Sequence, residues 1–151
     1  MKRVLFVCHG NICRSPMAAC VLRHLAREKG VEEDALRIDS AATSADELGS
    51  PIYPPARRTL EAHGVASDAH RATRLTAKDY DRYDYLLGMD GYNIGNMGRI
   101  LGKDPQGKVH RLLDFTHNPR DIDDPWYTDD FETTFRDVSE GCEALLAQMG
   151  F

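Results

Sequence analysis

The sequence predicts an α/β fold, in which a parallel sheet carries helices on both faces. Short apolar runs, typical of buried strands, alternate along the chain with amphipathic helical segments. Strands that alternate with helices imply a parallel sheet with right-handed crossovers. The length of 151 residues suits one domain, so we expect residues 1–151 to form a single unit.

The first strand and the helix after it occupy the N-terminal part of the chain. Residues 2–7 are a nearly continuous apolar run, as in a strand buried on both faces. A polar loop follows, and Ser15 and Pro16 suit the N-cap and the first position of a helix. That helix is expected to end at Gly30.

The middle of the chain continues the alternation. Residues 36–40 predict a second strand, and residues 41–55 a long loop because glycine and proline recur there. A helix is expected from about Pro54 to His63. Residues 83–88 predict a third strand, preceded by a short helical turn.

The last third of the chain supplies one more strand and two helices. Asp90 can cap a helix, although three glycines weaken it. Residues 109–113 are the fourth strand candidate, and the proline-containing residues 114–130 predict a loop. The final helix is the clearest, since its apolar residues recur every three or four positions: Phe131, Phe135, Val138, Cys142, Leu145 and Met149.

Composition limits the partners and the compartment. A net charge of -5 gives no case for nucleic acid as a partner. No apolar run approaches the roughly 20 residues that cross a bilayer, so no membrane insertion is expected. The apolar run after Lys2 and Arg3 is too short for a signal peptide, which favours a cytoplasmic protein. The four cysteines include no C-x-x-C pair, and we expect no metal and no cofactor.

The loop after the first strand carries the chemistry. It runs Cys8-His9-Gly10-Asn11-Ile12-Cys13-Arg14-Ser15, a C-x5-R pattern between a buried strand and a helix start. Parallel α/β folds bind ligands beyond the carboxyl ends of their strands, where this loop lies. Backbone amides at a helix N-terminus attract anions and favour a cysteine thiolate. Arg14 can hold two phosphate oxygens at once, so the loop predicts a phosphate site with Cys8 as nucleophile. The alternative is a buried strand-end thiol beside a surface arginine.

Cleavage of a phosphate ester also needs a proton for the leaving oxygen, and the loop supplies none. Asp121, Asp123 and Asp124 are the candidates by composition. Asp124 stands out because Pro125 stiffens the backbone after it and two aromatic residues follow.

The loop resembles the active-site signature of the low-molecular-weight protein tyrosine phosphatases. Later segments resemble the family's other landmarks in the same order: Asp39-Ser40-Ala41-Ala42-Thr43, His70-Arg71-Ala72-Thr73-Arg74, Met89-Asp90 and Asp124-Pro125-Trp126-Tyr127. The resemblance implies a three-layer sandwich with a four-stranded parallel sheet and the phosphate loop after the first strand. It also implies a metal-free hydrolase that acts on phosphotyrosine-containing proteins through a phosphocysteine. Phosphate and similar oxyanions would inhibit it.

The resemblance also implies roles for single residues. Cys8 is the nucleophile, Arg14 and the loop amides bind phosphate, and Asp124 is the general acid and then the general base. A supporting hydrogen-bond network would comprise Asn11, Ser15, Ser40 and His70. The pocket wall would comprise Ile12, Leu48, Trp126 and Tyr127. Cys13 would be either a buried structural thiol or a redox partner that forms a disulfide with oxidised Cys8.

The sequence departs from the family pattern at the rim of the pocket. Leu48 stands near the place of a tryptophan common in the family, and Ala42 stands where many members carry glycine. His9 occupies the variable position after the nucleophile. These departures bear on specificity and leave the chemistry of the loop intact.

Three other functions share parts of this pattern. A thioredoxin-coupled arsenate reductase has a similar loop but relays a disulfide through further cysteines, and residues 21–141 contain none. A phosphoryl carrier like the IIB proteins of sugar transport has no aryl leaving group to protonate, so it needs no acid. The presence of Arg14 and Asp124 therefore argues against a carrier. A purely regulatory anion-binding domain would most simply have lost Cys8, Arg14 or Asp124, and this sequence keeps all three.

Overall fold

The first strand lies inside the sheet, with a neighbour on each side. The computed structural model describes residues 1–67 and 69–151. In these residues the strands are β1 (Lys2–Cys8), β2 (Leu36–Ala42), β3 (Tyr85–Gly88) and β4 (Val109–Arg111). They form a four-stranded sheet in the order β2-β1-β3-β4, and every pairing is parallel. The predicted α/β class is therefore confirmed.

Helices cover both faces of this sheet. In chain order they are α1 (Arg14–Glu28), α2 (Pro54–Ala62), α3 (Asp79–Arg82), α4 (Gly91–Leu101), α5 (Pro125–Thr128) and α6 (Phe131–Gln148). Helices α1, α2 and α6 pack against one another on one face, and α4 packs on β3 and β4 from the other. Short 3-10 turns cover Glu33–Ala35 and Leu112–Phe115. Within the described residues, no helix has both the length and the apolar character to cross a membrane.

The side chains of β1 alternate between two apolar cores. Val4 and Phe6 belong to the larger core with α1 and α6, whereas Leu5 and Val7 belong to the smaller core with α4. All four are buried. Burying such side chains contributes about 1.5–3 kcal/mol each, which fixes the strand and the position of Cys8 at its end.

Helix α1 does not begin where its sequence suggests. Its N-cap is Cys13, which makes no side-chain capping bond, and Ser15 lies inside the first turn. The Ser15 hydroxyl instead meets the Cys8 sulfur and the Asn11 amide. The prediction of Ser15 as N-cap was wrong because these partners in the loop compete for the hydroxyl.

Strand and helix boundaries in the second half also differ from the prediction. Residues 112–113 leave β4 and enter a 3-10 turn, where both leucines are fully buried. Helix α4 forms despite its glycines, since Asp90 caps it by accepting from the Asn93 N–H at 2.8 Å. The predicted loop 114–130 contains α5, which begins directly after Asp124.

Candidate active site

The Cys8 sulfur lies at the base of the loop and contacts two polar groups. The backbone N–H of Asn11 donates to Sγ at 3.3 Å, and the Ser15 hydroxyl lies 3.0 Å from it. Asn11 has a φ of 59°, in the left-handed region, which asparagine adopts more readily than most residues. This conformation turns the Asn11 N–H toward the sulfur. The loop backbone thus holds the sulfur at the end of β1 by a hydrogen bond.

A network of hydrogen bonds holds Asn11 in that conformation. Its amide nitrogen donates to Ser15 Oγ at 2.7 Å, and its side-chain oxygen accepts from the Thr73 N–H at 3.1 Å. Its carbonyl accepts from His70 Nε2 at 2.6 Å. Each of these partners fixes a different atom of Asn11. Three of the four expected network residues, Asn11, Ser15 and His70, thus come together.

The fourth, Ser40, does not enter this network through its hydroxyl. Its carbonyl accepts from Thr73 Oγ1 at 3.5 Å, which is the contact that ties it to the loop. Thr73 lies between Ser40 and Asn11 and supplies the group that reaches Asn11. Ser40 therefore contributes its carbonyl, and Thr73, whose backbone N–H carries no sequence signature, is the residue that contacts Asn11.

The Arg14 guanidinium is buried among acceptors. Its Nη1 donates to Asp90 Oδ2 at 2.6 Å and to the Ile122 carbonyl at 2.8 Å, and its Nη2 lies 3.4 Å from Asp124 Oδ2. Burial pulls the pKa of Arg14 down, but the negative charges around it outweigh burial and raise that pKa. Since Nη1 is engaged twice, the edge formed by Nε and Nη2 is the one that can grip phosphate oxygens.

Asp124 contacts both helix α5 and the loop arginine, Arg14. Its Oδ1 accepts from the Trp126 N–H at 3.0 Å and so caps α5, while its Oδ2 faces Arg14. Pro125 occupies the first turn of α5 and is buried. The other candidates are placed differently: Asp121 is bound to Gly91 and Arg111, and Asp123 is exposed. Of the three carboxylates, Asp124 is the one that lines the cavity over Cys8.

A cavity of about 190 Å³ opens above the sulfur. Trp126 forms one wall and packs on Tyr53, with ring centroids 5.0 Å apart. Ile12 and Tyr127 also line the cavity, and Tyr127 is 84% exposed at its mouth. An aromatic wall of this kind suits a flat ring. Tyr53, which supports the wall, was not predicted, because it lies in a loop with no periodic pattern.

Residues 46 and 47 give the cavity an acidic rim. Asp46 and Glu47 line the cavity, and Asp46 Oδ2 lies 3.0 Å from His9 Nε2. Leu48, the next residue in this turn, is not part of the lining and is 52% exposed. The expectation that Leu48 forms the wall was wrong, because the turn presents its two preceding residues to the loop.

Cys13 lies in the same cavity as Cys8 but in a different environment. Burial, followed by the nearby Cys8, raises the pKa of the Cys13 thiol to about 12. Cys13 is therefore a neutral thiol near pH 7, and its redox role stays a prediction. All four cysteines are buried thiols, and Cys20 and Cys142 pack in the core. Within residues 1–67 and 69–151, no three His, Cys, Asp or Glu side chains group together as metal ligands.

Two partners of Arg14 escaped the sequence analysis. Asp90 was predicted as a helix cap and belongs to a segment that resembles a family landmark, but its contact with Arg14 was not predicted. One of its oxygens caps α4 and the other accepts from Arg14. The signal was available, since an acidic residue just after β3 lies beside the end of β1 in a parallel sheet. The contact with the Ile122 carbonyl could not be predicted from residue type, because every residue has a backbone carbonyl.

The fold and the site define a class: an α/β protein whose first loop sets a cysteine and an arginine around an anion cup, with an aspartate at its wall. The sequence profile of low molecular weight phosphotyrosine protein phosphatases matches residues 3–150. The low molecular weight protein-tyrosine-phosphatase YfkJ of Bacillus subtilis is 38% identical over 151 residues, 99% of this chain and 96% of that protein. The chain therefore belongs to the low molecular weight phosphotyrosine protein phosphatase family.

Further comparisons agree with this assignment. The human low molecular weight phosphotyrosine protein phosphatase is 37% identical over 150 residues, which cover 96% of this chain and 94% of that protein. The crystal structure of YfkJ matches with a TM-score of 0.95 over 99% of this chain and 95% of that one. The family resemblance and the four-stranded fold predicted from the sequence are both confirmed.

Proposed function

We propose that this protein hydrolyses phosphotyrosine in proteins, and small aryl phosphates, through a phosphocysteine intermediate. As a member of its family the chain is a phosphoric monoester hydrolase. The observation that carries the proposal is the Cys8 sulfur beneath the Asn11 N–H and the Ser15 hydroxyl, in one cavity with Arg14 and Asp124.

In the first step the Cys8 thiolate attacks phosphorus in line with the leaving oxygen. The sulfur–phosphorus bond forms while the bond from phosphorus to the tyrosine oxygen breaks. Asp124 gives its proton to that oxygen, so the product leaves as a neutral phenol. Arg14 and the loop amides hold the other three oxygens and stabilise the charge on them.

In the second step Asp124 acts as a base. It takes a proton from water, the water oxygen attacks phosphorus, and the sulfur–phosphorus bond breaks. Phosphate leaves, and Cys8 returns as a thiolate next to the Ser15 hydroxyl. Asp124 is protonated again, ready for the next substrate.

The aromatic wall supports phosphotyrosine as the substrate. Trp126, held by Tyr53, and Ile12 offer apolar surface to a phenyl ring above the sulfur. The phosphate product and similar oxyanions fit the same cup, so we expect them to be competitive inhibitors.

The reaction needs a reduced Cys8, which the cytoplasm provides.

The assignment is tested by Cys8→Ser assayed with p-nitrophenyl phosphate and with a phosphotyrosine peptide. We expect turnover to fall to the buffer level, while the melting temperature stays close to that of the unaltered protein. Cys20→Ala is the matched control, since it removes a buried thiol of α1 outside the loop. Turnover retained by Cys8→Ser would refute the nucleophile.

Two further assays separate the rival functions. Reduction of arsenate with thioredoxin, in the absence of aryl phosphate hydrolysis, would indicate an arsenate reductase. Stable phosphocysteine in the unaltered protein, without release of phosphate, would indicate a phosphoryl carrier. We expect neither result.

A further inference from the structure

The segment that carries the acid has no helix or strand of its own. Residues 119–124 lie between regular elements, so contacts alone determine where Asp124 and the Ile122 carbonyl lie. The Ile122 N–H donates to the Met89 carbonyl at 2.9 Å. A second contact is made by Asp121, the residue before Ile122.

Asp121 ties this segment to two other elements. Its Oδ1 accepts from the Gly91 N–H, the start of α4, at 3.0 Å, and from Arg111 Nη1, at the end of β4, at 3.1 Å. Arg111 is itself held by Asp114, whose Oδ1 accepts from Arg111 Nε at 2.9 Å. Oδ1 of Asp121 therefore joins the start of α4 to the end of β4, while the side chain stays 49% exposed.

These contacts close a ring around the guanidinium of Arg14. Nη1 of Arg14 donates to Asp90, and Asp90 is bonded through the chain to Gly91. Gly91 donates to Asp121, and Asp121 is bonded through the chain to Ile122. The Ile122 carbonyl accepts from the same Nη1 and completes the ring. Asp121 is the side chain that keeps the two acceptors of Nη1 together.

We propose that Asp121 is a positioning residue that acts through Arg14 and Asp124. This inference rests on the proposed function, in which Arg14 binds phosphate and Asp124 donates the proton. When the carboxylate is lost, the start of α4 and the acid segment are no longer tied at this point. The acceptors of Arg14 then separate, and Asp124, three residues along the same segment, shifts with them. Small displacements of this kind are costly in rate, because the reacting groups must be aligned.

The test uses Asp121→Ala, Asp121→Asn and Asp123→Ala in the full chain. Rates are measured with phenyl phosphate, a poor leaving group, and with p-nitrophenyl phosphate, a good one, together with inhibition by inorganic phosphate. For Asp121→Ala we expect kcat for phenyl phosphate to fall about 10- to 100-fold, a larger loss than for p-nitrophenyl phosphate. Inhibition by phosphate should weaken several-fold as Arg14 loses its alignment.

The other two variants separate positioning from charge. Asp121→Asn keeps an oxygen that can accept from Gly91 and Arg111, so it should restore most of the lost rate. Asp123→Ala removes a carboxylate from the same segment at an exposed position, and its rates should stay within about twofold of the unaltered protein. If Asp121→Ala proves unstable, Arg111→Gln removes one of the two donors and should give a smaller loss in the same direction.

Specific outcomes overturn the proposal. A variant Asp121→Ala that melts earlier but keeps its kcat and leaving-group dependence would make Asp121 a structural brace only. If Asp121→Ala lowers kcat equally for both substrates and leaves inhibition by phosphate unaltered, Asp121 would likewise be a structural brace only. Absence of turnover in the unaltered protein would refute the proposed function instead. Calorimetry of phosphate binding to Asp121→Ala would then decide whether Asp121 positions Arg14.

Discussion

The Ser15 hydroxyl oxygen lies 3.0 Å from the Cys8 sulfur and accepts a hydrogen bond from the Asn11 amide at 2.7 Å. Because that oxygen is already an acceptor, its own hydrogen is available to the sulfur. A hydroxyl that donates to sulfur stabilises the thiolate both when it attacks and when it leaves. The second step of the proposed reaction expels this thiolate, so Ser15 should matter most there.

Replacement of Ser15 by alanine should therefore make breakdown of the phosphocysteine rate-limiting. We expect kcat for p-nitrophenyl phosphate to fall about 100-fold, as for the loss of one donor to a developing anion. Stopped-flow measurements should show a burst of p-nitrophenol followed by slow turnover. Ser44→Ala is the control, since that hydroxyl donates to the His9 carbonyl of the same loop and does not contact the sulfur. Linear release without a burst, at the original rate, would contradict the role given to Ser15.

Asp124→Asn should slow the first step according to the leaving group. Asparagine is as good an N-cap as aspartate, so α5 and its contact with the Trp126 N–H should survive. The amide cannot supply the proton, and we expect a loss of about 100-fold or more with phenyl phosphate. A plot of log kcat against the leaving-group pKa should become steeper than for the unaltered protein. A uniform loss across all leaving groups would place the acid elsewhere.

Cys13 should make the fold sensitive to alkali. Burial and the neighbouring Cys8 raise the pKa of its thiol from 9.0 to about 12 in the folded protein. Between these values the unfolded chain has lost the thiol proton while the folded chain keeps it, so stability falls as the pH rises. At about pH 10.5 this contribution amounts to about 2 kcal/mol.

Urea denaturation at about pH 8 and about pH 10.5 checks this expectation. The free energy of unfolding should fall less for Cys13→Ala than for the unaltered protein over this interval. The comparison between the two proteins is needed because burial also raises the pKa of the Tyr83 and Cys142 side chains. Parallel losses in both proteins would show that Cys13 is not the group responsible.

Two glycine-to-alanine changes should have opposite effects on stability. A Cβ on Gly141 would lie 2.5 Å from the Leu112 side chain, which is fully buried beneath α6. The overlap outweighs the gain in helix propensity, and we expect a loss of about 1–3 kcal/mol. Gly95 in α4 is exposed, with no atom within 4 Å of a Cβ, so Gly95→Ala should stabilise by about 0.5–1 kcal/mol. Chemical denaturation of both variants measures the difference, and two changes of the same sign would contradict it.

Local signals in the sequence were enough for the strand, the loop and the class of fold. The apolar run of β1 and the C-x5-R pattern of the loop each span only a few residues, so the sequence alone was enough to predict them. Ser15 shows where this logic ends. Its residue type predicts an N-cap, but a sulfur seven residues earlier in the chain competes for its hydroxyl.

The parts that were missed depend on contacts between distant segments. Leu48 and Ser40 were given roles by the family resemblance, yet an irregular turn and the Thr73 N–H decide which groups reach the loop. Leu112 was predicted to extend β4. It lies instead in a 3-10 turn, where the missing side chain of Gly141 on α6 leaves room for the Leu112 side chain. The hydrophobic pattern of one segment does not show which side chains of a distant segment will pack against it.

The order in which the site residues occur along the chain has a consequence for synthesis. The nucleophile precedes Arg14 in the chain, whereas the groups that hold Arg14 lie 76 and 108 positions after it, and Asp124 lies 110 positions after it. A growing chain on the ribosome therefore carries its sulfur without these partners until the segment up to Asp124 has emerged. In the proposed reaction, turnover can begin only after that point. The onset of activity should then report assembly of the site.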